Sequence, residues 1–498
     1  MKNAFKEGTP ESVGISSEVI EWLLDELESG FTEPHGLMIM RNNVLCAKGA
    51  WNPFALGIRH GLQSHSKTYA ATAIGIAYTE GILKLDEKLI DIFPEEAPSH
   101  PSENLQNLTV RDTLCMGNGM EEESPISENW IRDFLATPVV HAPGTAFMYN
   151  STGSSILVAI IRKKTGMGLE EFLTPRLYEK IGIDYQNHAW IKAPDGTELG
   201  GAGMFASIED NFRLMKLYMD DGIWNGERIL ASDYVREATS KIIDTSSEQK
   251  VNPPASDNFL GYGYQIWQCK PEGAYRADGA MGQFTIVIPD KKMEIAVTEN
   301  ASGAHWAQRT LDIIWEFLDK VVSDQPLPED PEKSGKLMAR LQRLSLPQPL
   351  YEPDSIKKSA IDQVTFEFPN PLRLDIFGLA RDLSSKTAEI PVYTMKIVFH
   401  PTWADLYFDC GRKYYHILTA LDGTRRRNSF DGDVVTQVIA SGYWRTEDCF
   451  EVKLRWIETC GEETLSIHLL EDGNILADLT GTIAFHDDQK SIQGKRLW

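Results

Sequence analysis

Residues 64–77 read Ser64-His65-Ser66-Lys67-Thr68-Tyr69-Ala70-Ala71-Thr72-Ala73-Ile74-Gly75-Ile76-Ala77. This stretch reads as the start of a helix. A serine followed three positions later by a lysine places both side chains on one helix face. Ser64 then sits at the helix N-terminus, where free backbone N–H groups and the helix dipole favour negative charge. An oxyanion developing beside a serine uses that arrangement. A desolvated lysine has a depressed pKa and can act as a base. The tetrapeptide alone is common and equally describes an ordinary solvated helix start, so the rest of the chain must decide.

The chain has 498 residues, more than one hydrophobic core usually serves, and two domains are expected. Lysine plus arginine number 49 against 72 aspartates plus glutamates, a net charge of −23. That argues against nucleic acid or an anionic membrane as partner. No apolar run approaches the roughly 20 residues of a membrane span. Met1-Lys2-Asn3-Ala4-Phe5-Lys6-Glu7 has no apolar signal core, so a cytoplasmic location is expected. Cys46, Cys115, Cys269, Cys410, Cys449 and Cys460 form no Cys-x-x-Cys pair. Free, mostly buried thiols are expected, with Cys115 and Cys269 inert. The absence of His-Glu-x-x-His, Gly-x-Ser-x-Gly and Gly-Lys-Ser/Thr motifs removes the main support for zincin, α/β-hydrolase and P-loop chemistry.

Working outward, residues 16–29 carry Val19, Ile20, Leu23, Leu24 and Leu27 at helical spacing. Strands are expected at 36–41 and 44–48, with Asn42-Asn43 as a tight turn between them. The Ser64 helix runs to about residue 80 and stops at Gly81. A helix follows Pro143-Gly144 and Tyr149-Asn150-Ser151, over 154–164. Ser207-Ile208-Glu209-Asp210 reads as a capping box. Strand patterns occupy 262–267, 284–288 and 293–298, and a helix over 305–321 closes the region. The sheet can form only if the N-terminal hairpin meets the late strands. Residues 1–322 are therefore expected to be one α+β domain, an antiparallel sheet flanked by helices with a helical insert.

Pro326, Pro328, Pro331, Pro347, Pro349 and Pro353 punctuate residues 323–363 around a short basic helix at 336–343, which reads as a linker. Residues 364–498 show strand after strand. Phe450, Val452, Leu454 and Trp456 alternate, as do Leu465, Ile467 and Leu469. A small all-β C-terminal domain, sandwich or barrel, is expected. Thr424-Arg425-Arg426-Arg427 reads as a solvated basic loop.

Ser64-His65-Ser66-Lys67, Tyr149-Asn150-Ser151 and Ala277-Asp278-Gly279 stand in that order. The ordered set resembles the serine β-lactamase and penicillin-binding-protein superfamily. The match is to its class C-like branch, which also holds family VIII-type esterases, D-amino-acid peptidases and small amide hydrolases. The resemblance covers about residues 7–322. Leu108-Thr109-Val110-Arg111-Asp112-Thr113-Leu114, Gly201-Ala202-Gly203-Met204 and Gly282-Gln283-Phe284-Thr285-Ile286-Val287-Ile288-Pro289 support it. It implies a β-lactamase-like domain at 1–322 and acyl-enzyme chemistry with no metal or cofactor. Ser64 would be the acylated nucleophile and Lys67 its proton acceptor or electrostatic partner. Tyr149 would be the general base, or the residue that passes the proton to the leaving group. An unperturbed tyrosine has a pKa of about 10, so Lys67 is expected to stabilise its phenolate. The N–H groups of Ser64 and Ala280 would form the oxyanion hole, each contributing about 3 kcal/mol.

Ser151, Asp278 and Gly279 are the expected substrate-binding residues, and two of the motifs depart from the family pattern. Ser151 stands where the family often has Asn. Ala277 stands where lactamases and peptidases usually carry Lys, and Asp278 adds a negative charge beside it. Arg276 is expected to point away, because neighbouring strand residues face opposite sides. Gly279 also suits close backbone approach. His65 is expected to pack, and Trp267 and Phe284 to form core or pocket wall. The expected function is a serine hydrolase for a small ester, amide or lactam. The alternatives are a true β-lactamase or D-alanyl peptidase, and a catalytically silent penicillin-binding or sensor module.

Overall fold

Asn42 and Asn43 both adopt left-handed backbone, with φ of 50° and 62°. Two such residues make a type I′ turn, whose twist suits a hairpin. In the computed structural model, which describes residues 5–302, 304–321, 323–352, 354–375, 389–411, 413–431, 434–482 and 488–497, that hairpin starts the main sheet. Its strands are β1 (Lys6–Glu7), β2 (Glu33–Arg41), β3 (Val44–Ala50), β4 (Trp267–Gln268), β5 (Tyr275–Gly279), β6 (Gln283–Ile288) and β7 (Met293–Asn300). The order across the sheet is β1-β3-β2-β7-β6-β5-β4. β2 and β7 pair antiparallel, with Leu37 opposite Val297 and Ile39 opposite Ile295. The hairpin and the late strands thus meet in mid-sheet, as expected.

Both faces of β2 and β7 are buried, so helices must cover both. Met38, Met40 and Ala296 pack with Ile208 and Phe212. The alternate set Leu37, Ile39, Ile295 and Val297 is equally inaccessible on the other face. The covering helices are α1 (Ser17–Leu27), α2 (Ser66–Thr79), α3 (Ser151–Thr165), α4 (Ile208–Met219), α5 (Ala304–Lys320) and α6 (Pro331–Leu341). α1 packs on α5, α4 on β2, β6 and β7, and α2 on α3. Ser207 and Asp210 form the expected reciprocal capping box at the start of α4. Every residue of α2 from Ser66 to Ala77 is buried. Such a helix has no solvent face and positions its side chains rigidly.

Three expectations change. α3 begins at Ser151, three residues early, because the Asn150 side chain accepts the Gly153 N–H at 2.6 Å and caps the helix there. Residues 262–267 are not a strand. Gln265 turns left-handed at φ 56°, and only Trp267 and Gln268 join the sheet. The proline-rich stretch 323–363 is divided, because the chain falls into two compact units, Met1–Leu344 and Ser345–Trp498. α6 packs on α1 and β3 within the first unit, and its Arg340 donates to Glu21 at 2.6 Å and Glu28 at 2.8 Å. Residue 322 and Pro353 lie outside the described residues.

The second unit is all-β. Its strands are β8 (Thr365–Asp375), β9 (Glu389–Phe399), β10 (Trp403–Asp409), β11 (Tyr414–Ala420), β12 (Arg426–Ser429), β13 (Gln437–Thr446), β14 (Cys449–Trp456), β15 (Glu462–Leu469), β16 (Ile475–Gly481) and β17 (Gln489–Leu497). The order is β11-β10-β9-β8-β17-β16-β15-β14-β13-β12. A parallel bridge from Ala420 to Ser441 joins β11 to β13 and closes nine strands into a barrel. Closure removes sheet edges. Phe450, Val452, Leu454 and Trp456 fill the interior as their alternation predicts. The basic turn is not simply solvated. Arg425 donates to the Leu346 carbonyl at 3.4 Å and to that of Pro347, and Arg426 lies 5.1 Å from the Trp403 ring centre. No helix among the described residues is long and apolar enough to cross a membrane.

Candidate active site

Ser64 lies in the 3-10 turn Gln63–His65 that leads directly into α2. Three contacts fix the turn. The Ser66 hydroxyl donates to the Gln63 carbonyl at 2.7 Å and accepts the Met204 N–H at 3.1 Å. His65 Nε2 meets the Thr285 hydroxyl on β6 at 3.0 Å. Burial pushes His65 down to about 4, so it stays neutral and packs, as expected.

Lys67 sits one helical turn on and is 1% exposed. Its Nζ donates to Ser64 Oγ and to Ser151 Oγ, each at 3.0 Å, and to the Gly201 carbonyl. Burial pushes its ammonium down to about 7, against the Glu123 and Asp278 carboxylates, which favour the charged form. At neutral pH a large fraction of Lys67 is therefore an amine with a lone pair available to Ser64.

Tyr149 stands in the loop before α3, half-buried and hydrogen-bonded to Ser64. Lys67 Nζ lies 4.6 Å from its ring centre, and the Trp267 ring stacks on it at 5.8 Å. Trp267 and Phe284 are both buried, and Trp267 packs against Tyr149. The expected stabilisation of a Tyr149 phenolate by Lys67 does not appear. Burial raises the phenol well above its ordinary value, and Asp278, Glu123 and Glu248 add to the rise, while the bond to Ser64 opposes it only in part. A neutral amine cannot stabilise an anion, and three carboxylates repel one.

β5 runs beside the Gln63–His65 turn. A Cβ on Gly279 would lie 2.1 Å from the Leu62 carbonyl oxygen, so only glycine allows the approach. This contact sets Ala280, the next residue, alongside the segment that carries Ser64. Ala277 is fully buried and offers no cation. Arg276 points away from Ala277, as expected, and so lies on the Asp278 face of β5, because residues two apart in a strand point the same way. Its guanidinium is spent internally, on Asp278 and Asn258 at 2.7 and 2.6 Å and on the Gln268 carbonyl at 2.9 Å. Burial would lower its charge, but Asp278 more than restores it.

The structure brings Ser64, Lys67, Tyr149, Ser151, Asp278, Gly279 and Ala280 together. Sequence reasoning missed Glu123, Glu248 and the Gly201 carbonyl. Glu123 accepts from the Thr152 N–H at 2.6 Å at the start of α3. Nothing near Glu123 or Glu248 in the sequence marks them. Gly201 did fall in a quoted stretch, but its role there is a backbone one. Burial raises the Cys115 and Cys269 thiols to about 12, which keeps them unreactive. Among the described residues no His, Cys, Asp and Glu side chains are grouped to hold a metal ion.

Comparison with known proteins matches residues 36–315, more than half of the chain, to the family described as Beta-lactamase. The chain is 24% identical over 285 residues to penicillin-binding protein 4 of Amycolatopsis lactamdurans, covering 48% of this chain and 72% of that one. It is 22% identical over 304 residues to a beta-lactamase of Escherichia coli strain K12, covering 52% and 79%. Among solved structures, a Bacillus anthracis protein provisionally described as a 6-aminohexanoate-dimer hydrolase superposes with a TM-score of 0.50 at 20% identity. That match covers 66% of this chain and 89% of the other. At such identities the structural likeness speaks for the fold alone.

Proposed function

The chain belongs to the beta-lactamase family of serine hydrolases, and from that premise we propose that it cleaves a small, uncharged or cationic ester or amide through an acyl-enzyme on Ser64. The observation that carries this reading is the 3.0 Å contact between Ser64 Oγ and a buried Lys67 amine with its ammonium pushed down to about 7. Lys67 takes the Ser64 proton as Oγ attacks the substrate carbonyl carbon. The resulting oxyanion is received by the backbone N–H groups of Ser64 and Ala280. When the tetrahedral species collapses, the bond to the leaving alcohol or amine breaks. Tyr149, protonated throughout the neutral range, hands its proton to that group and is reprotonated from Lys67. Of the two roles expected for Tyr149, its raised pKa supports the second. Water then attacks the acyl group and frees Ser64.

Charge supports the substrate class. Glu123, Asp278 and Glu248 all act on Tyr149, Ala277 stands at the cation position, and the Arg276 guanidinium is tied to Asp278. An anionic acyl substrate would meet repulsion that neither Ala277 nor the engaged Arg276 offsets. This sets a true β-lactamase or D-alanyl peptidase second. The Ser64–Lys67 contact argues against a silent binding module.

The test incubates the protein with nitrophenyl acetate, nitrophenyl butyrate, a chromogenic cephalosporin and a D-alanyl peptide, with Ser64→Ala as control. Ester turnover that vanishes in the control is expected. Faster turnover of the cephalosporin or peptide would overturn the ranking, and a lasting acyl adduct with no turnover would favour the binding module.

A further inference from the structure

The hairpin turn that carries Ala280 is seated on a buried acid. Met281 and Gly282, its central residues, both adopt left-handed backbone, with φ of 63° and 88°. Such a turn is strained at the non-glycine position and needs outside support. Two hydrogen bonds hold the Met281 carbonyl, one from the Ala301 N–H at 3.0 Å and one from the Gln283 amide at 3.1 Å. The same Gln283 amide reaches the Glu299 backbone carbonyl at 2.7 Å. Below the turn lies the Glu299 side chain, fully buried. The fit is tight, since a Cβ on Gly282 would fall 2.0 Å from Glu299 Oε1. The Thr310 hydroxyl of α5 donates to that oxygen at 2.7 Å.

We propose that Glu299 is a positioning residue, whose neutral carboxylic acid supports the Met281-Gly282 turn and so keeps the Ala280 N–H aimed at the nucleophile. The inference rests on the reading of Ser64 and Ala280 as the oxyanion site. Burial pushes the Glu299 carboxyl up to about 8, and only hydroxyls, those of Thr310 and Thr32, oppose the rise. No cation contacts it among the described residues. The acid is therefore protonated at neutral pH. An ionised Glu299 has two effects. It is an unpaired charge under a strained turn, which rearranges to admit water. It also sets negative charge beside a forming oxyanion, the opposite of what the site must supply.

The experiment measures kcat against pH for a neutral nitrophenyl ester with the full chain, in native protein, Glu299→Gln and Thr310→Val. With Lys67 titrating near 7 and Glu299 near 8, native kcat falls about sixfold between pH 7.5 and 9. In Glu299→Gln the amide cannot ionise, and that fall disappears. In Thr310→Val the carboxylate loses a donor, its pKa rises, and the fall moves to higher pH. Thermal unfolding of each protein at pH 7.5 and 9 separates loss of the turn from loss of the fold. If Glu299→Gln does not fold, Thr310→Val decides alone. A descending limb unchanged in either folded variant overturns the proposal. Mass spectrometry of the acyl adduct distinguishes the two failures. An adduct on Ser64 with no Glu299 effect sinks only this inference, whereas no Ser64 adduct in native protein sinks the underlying reading.

Discussion

Ser151→Ala tests Lys67 as the proton acceptor. The Lys67 ammonium uses its three protons on Ser64, Ser151 and Gly201. The amine has two protons and a lone pair. That lone pair faces Ser64 only while the other two bonds hold. A hydrogen bond from a charged donor contributes about 1.5–3 kcal/mol and one from a neutral donor about 0.5–1.5 kcal/mol. Ser151 therefore favours the ammonium over the amine by about 1 kcal/mol. Deleting the hydroxyl removes that preference. At about 1.4 kcal/mol per pKa unit, Lys67 drops by somewhat less than one unit, since water can enter at half-buried Ser151. Activity rises with pH as Lys67 loses its proton. The ascending limb of kcat/KM, near 7 in the native protein, should move to roughly 6–6.5. The plateau should fall as well, because the lone pair is less well aimed. The assay follows a neutral nitrophenyl ester from pH 5 to 8, so that the substrate itself does not titrate. A limb that stays at 7 or moves upward would refute the argument.

Tyr149→Phe should lower kcat by about 10²–10⁴-fold while leaving the descending limb near pH 8 in place, because the raised phenol does not titrate there. A stopped-flow pH profile checks both parts. Gly279→Ala places a Cβ against the Leu62 carbonyl. It should lower kcat about 100-fold through displacement of β5 from the nucleophile turn, with the far-ultraviolet dichroism unchanged. Arg276→Ala strands the Asp278 carboxylate and should destabilise the first unit by about 3–5 kcal/mol in urea unfolding. A loss under 1 kcal/mol would mean that the pair is solvated.

Much of the fold was legible because its signals are local. Asn42-Asn43 announced a hairpin, Gly81 a helix end, and Ser207 with Asp210 a cap. Each rests on backbone preferences within a few residues. The failures were also physical. The residues over 262–267 carry strand-like side chains, but Gln265 adopts a conformation that ends pairing. α3 starts early because a side-chain cap outweighs a run of small polar residues. Arg340 anchors α6 to α1 through carboxylates more than 300 positions away, which no local pattern can reveal.

The sequence by itself determined which groups the proposed site can draw on and the order in which the chain presents them. Ser64 and Lys67 share a helix face by spacing alone, and Gly279 permits close approach for want of a Cβ. Tertiary structure decided their protonation states. A pKa sums desolvation and charge over neighbours drawn from many segments. Burial on all sides of α2 makes an amine of Lys67 near neutral pH, and Asp278, Glu123 and Glu248 keep Tyr149 a phenol. The same packing ties Arg276 to Asp278, so this guanidinium is not free to meet a substrate carboxylate.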